Sequence, residues 1–240
     1  GNGMEDLRMM VVTFLKIIPT LVLKYVLRIV YQFFSLLFPV KSQKITFASY
    51  RSDEIHGNLL YVYNEITKQE SGYTLALLFK KFPDKKSGKL KHLFHMALAM
   101  YHLASSKYFI IDDYYFPVYV IRPRKGTEII QLWHAAGALK KIGYSLIGKT
   151  SGPTSDYVKY IKIHSNYSKV IVSAEEVIPF YAEAFNMSPA NIYPLGLPRT
   201  DYFFDFKKHE EVKERFYTEF AELVGRKLIL YAPTFRGQKN

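Results

Sequence analysis

Residues 9–40 form a nearly continuous apolar run that polar residues interrupt at regular steps. These polar residues recur every three or four positions, which places them on one face of an α-helix. They are Thr13, Lys16, Thr20, Lys24, Arg28, Gln32 and Ser35. The pattern predicts amphipathic helices over residues 4–40, with Pro19 kinking the segment or dividing it in two.

The amphipathic segment also raises the question of a membrane span or a signal peptide. Lys24 and Arg28 lie near its middle, and each would cost about 2.5–3.5 kcal/mol at the bilayer centre. No small-residue cleavage site follows the apolar run, which argues against a signal peptide. We therefore expect the segment to lie in the interface of an anionic membrane. The alternative is a helix whose wide apolar side packs on the protein's own core or on a partner chain.

Beyond Pro39, short β-rich runs alternate with helical stretches. Strands are predicted at Lys44–Tyr50, Tyr73–Phe79, Lys107–Asp112, Glu128–Trp133, Lys169–Ser173 and Asn191–Leu195, and helices at Asn58–Lys68, Leu90–Ala104, Glu175–Phe185 and Glu210–Leu223. Such alternation predicts an α/β fold, a Rossmann-like parallel sheet with helices on both faces. A last predicted strand, Lys227–Ala232, either completes this sheet or opens a second domain.

Ligands of parallel sheets bind beyond the carboxyl ends of the strands. Arg51 and Gly57 follow the first predicted strand, Asp113 follows the third, and His134 and Gly137 follow the fourth. We therefore expect these residues to converge on one rim of the sheet.

His134 is the candidate with the clearest chemistry. It follows the single tryptophan and precedes two alanines and Gly137, small residues that allow a substrate to approach the backbone. An imidazole at this place could take a proton from a hydroxyl nucleophile, or it could buttress a loop. Lys140 and Lys141 could hold phosphate, or they could be a surface pair.

Three further groups of residues could have either a chemical or a structural role. Asp112 and Asp113 resemble the paired acids that hold a divalent metal in some transferases, but without an evident third ligand a structural role is favoured. His92 and His95 lack a partner that would complete a metal site, so packing or surface roles are expected. Arg199 could contact phosphate or pair with a carboxylate.

Composition narrows the class of partner. The sequence has 33 Lys and Arg against 21 Asp and Glu, a net charge of +12, which favours anionic partners. It contains no Cys, so neither a disulfide nor a Cys-ligated zinc site can exist. It also lacks a zinc-finger spacing, a helix-turn-helix signature, an aromatic RNP strand and Gly-rich phosphate loops. We therefore expect no nucleic-acid partner.

Several motifs become specific when they are taken together and in order. They are Phe47-Ala48-Ser49 with Gly57-Asn58, Ile111-Asp112-Asp113-Tyr114-Tyr115, Gln131 to Gly143 (QLWHAAGALKKIG), Gly196-Leu197-Pro198-Arg199-Thr200-Asp201 and Tyr231-Ala232-Pro233-Thr234-Phe235-Arg236. With these motifs the chain resembles the CDP-glycerol glycerophosphotransferase family, whose members prime and polymerise wall teichoic acids. The resemblance covers residues 44–240.

The resemblance implies an activity. A polyol phosphate would pass from CDP-glycerol or CDP-ribitol to a hydroxyl of a lipid-linked teichoic acid acceptor, at the cytoplasmic face of the cell membrane, with His134 as the general base and with no cofactor or metal. The residues implied in acceptor binding are Arg51, Gly57, Asp113, Gly137, Lys140 and Lys141. Those implied in binding the donor phosphates are Arg199, Thr234 and Arg236.

The resemblance also implies a two-lobed GT-B-like architecture in which the second lobe holds most of the donor nucleotide. We expect membrane helices over residues 4–40, an acceptor lobe over 41–205, and the linker helix and first strand of a donor lobe over 206–240. Such a fragment could be inactive by itself, and its exposed lobe interface could form homo-oligomers. The alternative is a non-catalytic membrane-surface adaptor that binds an anionic lipid-linked polymer.

Overall fold

The computed structural model describes residues 2–81 and 88–233, and side chains from Met9 onward. Six strands form one parallel sheet in the order β2-β1-β3-β4-β5-β6. The strands are β1 (Lys41–Ser49), β2 (Thr74–Phe79), β3 (Ser106–Ile111), β4 (Glu128–Gln131), β5 (Lys169–Ile171) and β6 (Ile192–Tyr193). The parallel sheet confirms the predicted α/β fold.

The helices connect these strands and extend from the sheet. They are α1 (Asn2–Leu37), α2 (Gly57–Lys68), α3 (Lys89–Ser105), α4 (Phe116–Tyr119), α5 (Ser155–Tyr160), α6 (Ile178–Phe185) and α7 (Phe206–Glu219). The predicted helix Glu175–Phe185 begins with a 3₁₀ turn over Glu175–Val177 before α6. The helix predicted from Glu210 starts earlier, because the side chain of Asp205 caps it by accepting the amide proton of Lys208.

The two faces of the sheet are buried in different apolar clusters. Alternate residues of a strand point to opposite faces. Phe47 therefore belongs to a cluster with Leu59 of α2, whereas its neighbour Ala48 belongs to a larger cluster with Leu27 of α1 and Met100 of α3. Burial on both sides explains why the strands are apolar without an alternating polar face.

The sheet has a switch point between β1 and β3. From β1 the chain moves outward to β2, and it then crosses back to place β3 on the other side of β1. Connections leave in opposite directions at such a point and open a crevice beyond the strand ends. The side chain of Ser49, at the end of β1, donates a hydrogen bond to Asp112 Oδ1, just after β3, at 2.6 Å.

Several predicted strands need correction. The fifth ends at Ile171 instead of Ser173, and the sixth spans only Ile192–Tyr193. The strand predicted to reach Trp133 ends at Gln131, because Trp133 has a φ of 51° and leaves the extended conformation. The strand predicted at Lys227–Ala232 is absent from the described residues, since 226–233 pair with no strand and an isolated extended segment has no ladder to join. Residues 1–199 form one compact unit and residues 200–240 a second. The assignment of the second unit to a donor lobe stays a prediction.

Helix α1 continues through Pro19 as a single helix, so the segment is not divided. Two of its charged side chains, Lys24 and Arg28, point inward, whereas Lys16 is exposed. Lys24 Nζ donates to the carbonyl of Tyr160 at 2.5 Å, and Arg28 Nε donates to the carbonyl of Val120 at 2.6 Å. Burial, followed by the charge of Arg28, lowers the pKa of Lys24. The side of α1 that packs against the α/β unit therefore carries Lys24 and Arg28 together with apolar residues such as Leu27 and Tyr31. The alternative, in which an apolar side packs on the protein's own core, holds for this part of the helix.

Much of the apolar surface of α1 faces outward. Fourteen of its large apolar side chains are exposed by 36% to 86%: Met9, Met10, Val11, Val12, Phe14, Leu15, Ile18, Val22, Tyr25, Val26, Ile29, Phe33, Leu36 and Leu37. Residues 9–37 are long and apolar enough to cross a bilayer, and only 11% of their most apolar stretch is buried inside the protein. We call this set the outer face of α1.

The inward orientation of the α1 cations can be tested with two neighbouring substitutions. Arg28→Met keeps an apolar stem but leaves the carbonyl of Val120 without its donor, so we expect the free energy of unfolding to fall by about 1–3 kcal/mol. Ile29→Ala, on the outer face, should change it by less than about 0.5 kcal/mol. Urea unfolding in a mild detergent measures both. Equal effects of the two changes would contradict the orientation.

Candidate functional site

The imidazole of His134 lies at the carboxyl ends of β3 and β4. Its Nδ1 is 3.1 Å from the carbonyl oxygen of Asp112. A carbonyl oxygen can only accept, so Nδ1 carries the proton and Nε2 carries the lone pair when the ring is neutral. The side chain is 31% exposed. His134 therefore presents a basic nitrogen in a fixed tautomer at an open site.

The two aspartates after β3 differ in their surroundings. Asp112 is buried and accepts from Ser49, and burial is the main reason that its pKa is raised. Asp113 is partly exposed, with Oδ2 3.5 Å from Arg51 Nη1 and Oδ1 3.9 Å from His134 Nδ1. Asp112 thus supports the loop, while the carboxylate of Asp113 lies where it would stabilise a protonated His134.

Trp133 adopts a left-handed backbone conformation immediately before His134. Its φ is 51°, a region that bulky residues seldom occupy and that often marks functional sites. The indole stacks on the imidazole of His134, with centroids 4.6 Å apart, and its edge contacts with His164 and Phe185 have centroid distances of 5.8 and 5.4 Å. The turn therefore places one aromatic ring between the histidine and the core.

A cavity of about 320 Å³ opens beside His134. Its wall is formed by the loop after β4, the 3₁₀ turn at Gly143–Leu146 and one side of α6: Trp133, His134, Ala135, Gly137, Ala138, Leu139, Lys140, Lys141, Ile142, Ser145, Phe180, Tyr181, Glu183 and Ala184. The hydroxyl of Tyr181 donates to the carbonyl of Gly137 at 3.4 Å. Lys140 and Lys141 are exposed. The cavity thus combines an apolar wall, an imidazole and two cations.

A buried polar network lies behind this turn. The Gln131 side chain is fully buried; its Nε2 donates to the hydroxyl of Tyr167 at 3.1 Å, and that hydroxyl lies 2.9 Å from Nδ1 of His164. Burial lowers the pKa of His164 to about 3 and raises the pKa of Tyr167. Both groups are therefore neutral at physiological pH, and their bonds hold the loop without introducing a buried charge.

Gly143 is required where the 3₁₀ turn passes α6. Its φ is 54°, and a Cβ there would lie 2.3 Å from the carbonyl oxygen of Ala184 and 2.9 Å from Cδ2 of His164. Only glycine combines this backbone conformation with so close an approach. The wall of the cavity therefore depends on the glycine.

The structure brings most of the predicted site residues together. His134, Asp113 and Arg51 are neighbours, while Gly137, Lys140 and Lys141 line the same cavity as His134. Thr234 and Arg236 lie outside the described residues.

Asn58 connects Gly57 and Arg199 to the turn that carries His134. Asn58 Nδ2 donates to the carbonyl of Trp133 at 3.0 Å, and its Oδ1 accepts the amide proton of Arg199 at 3.1 Å. Gly57, with a φ of 56°, turns the chain into α2 immediately before it. The side chain of Arg199 is exposed. Its predicted contact with the donor phosphates stays untested.

Sequence reasoning gave no role to Gln131 or Asn58, although both occur within the quoted motifs. The signal was an amide within an otherwise apolar element, since a buried amide must find partners. His95 is also buried, and its Nε2 lies 2.8 Å from the hydroxyl of Tyr115, so the packing role expected for it is confirmed. Within residues 2–81 and 88–233, no three His, Asp or Glu side chains group as metal ligands would.

Comparisons with known proteins agree on one family. Residues 29–240 match the family described as CDP-Glycerol:Poly(glycerophosphate) glycerophosphotransferase. The chain is 45% identical over 218 residues to a teichoic acid ribitol-phosphate primase of Bacillus spizizenii, covering 91% of this chain and 56% of the primase. It is 46% identical over 208 residues to a teichoic acid poly(ribitol-phosphate) polymerase of the same species, covering 86% of this chain and 32% of the polymerase.

A solved structure has the same fold. A variant of the wall teichoic acid polymerase TagF matches with a TM-score of 0.60 and 16% identity, covering 86% of this chain and 51% of that one. At this identity the likeness shows the fold alone. The chain spans about half the length of the primase and a third of the length of the polymerase.

The buried histidines predict a loss of stability in acid. Burial lowers the pKa of His164 to about 3, and those of His95 and His102 to about 4. The unfolded chain binds protons at these rings below about pH 6.5, whereas the folded chain does so only near pH 3–4. Each ring should therefore remove up to about 1.4 kcal/mol of stability per pH unit as the pH falls through this window.

Urea unfolding between pH 7 and pH 4.5 measures this slope. His164→Gln should reduce it by about one proton, roughly 1.4 kcal/mol per pH unit. The matched control Tyr167→Phe disturbs the same cluster but keeps the imidazole, so it should lower stability and leave the slope unchanged. A slope that His164→Gln does not alter would show that folding does not lower the pKa of this ring.

Proposed function

The chain belongs to the CDP-glycerol:poly(glycerophosphate) glycerophosphotransferase family, and from that premise we propose that it supplies the acceptor-activating part of a polyol-phosphate transferase. The acceptor is the terminal hydroxyl of a lipid-linked teichoic acid. Its oxygen forms a bond to the phosphorus that carries the polyol in the CDP-linked donor. The bond between that phosphorus and the oxygen of CMP breaks, and CMP leaves with the bonding electron pair.

The tautomer of His134 is the observation that carries this proposal. The hydrogen bond from Nδ1 to the carbonyl of Asp112 leaves Nε2 as the acceptor, and the residue lines an open cavity. Nε2 can therefore take the proton of the attacking hydroxyl, the role of a general base. The carboxylate of Asp113, 3.9 Å from Nδ1, then stabilises the imidazolium.

The positive groups of the site suit a phosphorylated substrate. Phosphoryl transfer depends on positioning and on positive charge around the migrating group. Lys140 and Lys141 line the same cavity as His134, so we assign them to the phosphodiester of the acceptor. Arg51 adds a further positive charge beside Asp113. The donor polyol is proposed to be ribitol phosphate, because the primase and the polymerase described above are both named for it.

We infer that the outer face of α1 holds the chain at the cytoplasmic surface of the membrane. It consists of exposed apolar side chains, while Lys24 and Arg28 are bound to the α/β unit. Leu90 and Phe94 of α3 are also exposed, by 78% and 68%. A spanning orientation would separate the two cations from their carbonyl partners, whereas an interfacial one preserves both bonds. The net charge of +12 favours anionic lipid.

Release of CMP tests the proposed reaction. The purified chain is incubated with CDP-ribitol or CDP-glycerol and a lipid-linked acceptor, and we expect CMP, with CDP-ribitol as the better donor. His134→Gln should lower the rate by about 10²- to 10⁴-fold, because glutamine cannot take the proton. An unchanged thermal transition controls for folding. CMP release at the wild-type rate from His134→Gln would contradict the assignment. No CMP from either donor would favour the membrane-surface adaptor or a part of an enzyme that is inactive by itself.

Flotation with vesicles that contain phosphatidylglycerol tests the membrane surface. Replacing Ile29, Phe33 and Leu36 with Ser removes outer-face area, and we expect the bound fraction to fall at least about tenfold, since each large apolar side chain contributes about 1.5–3 kcal/mol when buried. A matched control replaces Phe203 and Phe206, which are 67% and 74% exposed, and should float as the wild type does. Equal losses in both proteins would contradict a specific role for α1.

A further inference from the structure

The peptide groups on both sides of the Trp133 Cα are held by buried side-chain amides. Gln131 Oε1 accepts the N–H of Trp133 at 2.9 Å, and Asn58 Nδ2 donates to its carbonyl at 3.0 Å. We propose that Gln131 and Asn58 are positioning residues, which keep Trp133 left-handed and thereby fix the tautomer and direction of His134. This inference rests on the proposed role of His134 as a base.

Gln131 joins the two turns on which His134 depends. The turn after β4 carries the histidine, and the turn after β3 provides the carbonyl of Asp112 that fixes its Nδ1. Gln131 accepts from Trp133 in the first turn, and its Nε2 donates to the carbonyl of Asp113 in the second at 2.9 Å. Because one rigid amide spans both turns, the imidazole and its acceptor are held in a single frame.

Every polar group of the Gln131 amide has a partner. Its two N–H groups go to the carbonyl of Asp113 and the hydroxyl of Tyr167, and its oxygen accepts from Trp133. The side chain has no exposed surface. A buried amide is tolerated only with such partners, and glutamate could not make the two donations.

Asn58 holds the same turn through the carbonyl of Trp133. It stands at the start of α2 and is 3% exposed. Besides its bond to Trp133, it accepts the amide proton of Arg199. One side chain therefore joins the backbone of Arg199, a predicted phosphate-binding residue, to the backbone of Trp133, which precedes the proposed base. Loss of the donor alone would free the carbonyl of Trp133.

Two substitutions and one control separate positioning from stability. Asn58→Asp keeps the acceptor for Arg199 but removes the donor to Trp133, and Gln131→Met fills the same space with no polar group. Asn166→Asp is the matched control, because Asn166 Nδ2 donates to the carbonyls of Val118 and Ile121 and has no contact with Trp133 among the described hydrogen bonds. All three variants should be less stable than the wild type.

The tautomer of His134 is the readout that a merely structural role would not move. Long-range ¹H–¹⁵N correlation spectra report which ring nitrogen carries the proton, and His134→Gln identifies the signal. We expect the Nδ1–H form in the wild type and in Asn166→Asp. In Asn58→Asp and Gln131→Met, a second signal from the Nε2–H form should appear. The kcat for CMP release should fall about 10- to 100-fold in these two variants, with less than about a twofold change in the KM of the donor.

The outcomes distinguish this inference from the proposed function. If Asn58→Asp folds and leaves the Nδ1–H form of His134 unchanged, the positioning role is overturned, whatever the activity. If the tautomer shifts while the rate of CMP release stays the same, the positioning role stands and the base assignment fails. Should Gln131→Met fail to fold, Asn58→Asp carries the test, because it keeps one of the two bonds made by its side chain.

Discussion

The left-handed turn at Trp133 is the constraint on which the site depends. A bulky residue seldom adopts a positive φ, so other bonds must hold it there. The amides of Gln131 and Asn58 bind the N–H and the carbonyl of Trp133, and the indole stacks on the ring of the next residue, His134. The turn ends β4, faces His134 toward Asp112 and provides one wall of the cavity. The geometry of the proposed base follows from these contacts.

The topology of the sheet supplies the second requirement. Because β1 lies between β2 and β3, the crossover connections diverge beyond the ends of β1 and β3, where Ser49 binds the buried Asp112. Polar groups can collect at this rim because they bind one another. His164, which burial keeps neutral, joins this network through Tyr167. The core beneath the site therefore contains polar groups that bind one another, which suits a loop that must stay in place.

In the proposed function, helix α1 combines two roles that usually belong to separate elements. Its inward side carries Lys24 and Arg28, whose bonds to backbone carbonyls attach the helix to the α/β unit. The outer face is left to apolar side chains, as an interfacial membrane helix requires. This arrangement would hold the cavity at a fixed position relative to the lipid surface. An acceptor that is itself linked to a lipid would then reach His134 without leaving the membrane.

The sequence by itself determined the parallel α/β fold, the places of most strands and helices, the family and the prominence of His134. Hydrophobic periodicity indicates the elements and ordered motifs indicate the family, and both can be read from residues that are close together along the chain. Tertiary structure decided which side of α1 faces the protein, because Lys24 and Arg28 bind carbonyls more than 90 residues away in sequence. It also decided the end of β4 and the roles of Gln131 and Asn58. A buried amide is defined by the partners it meets, and Asn58 and Trp133 are 75 residues apart in sequence; only folding brings them together.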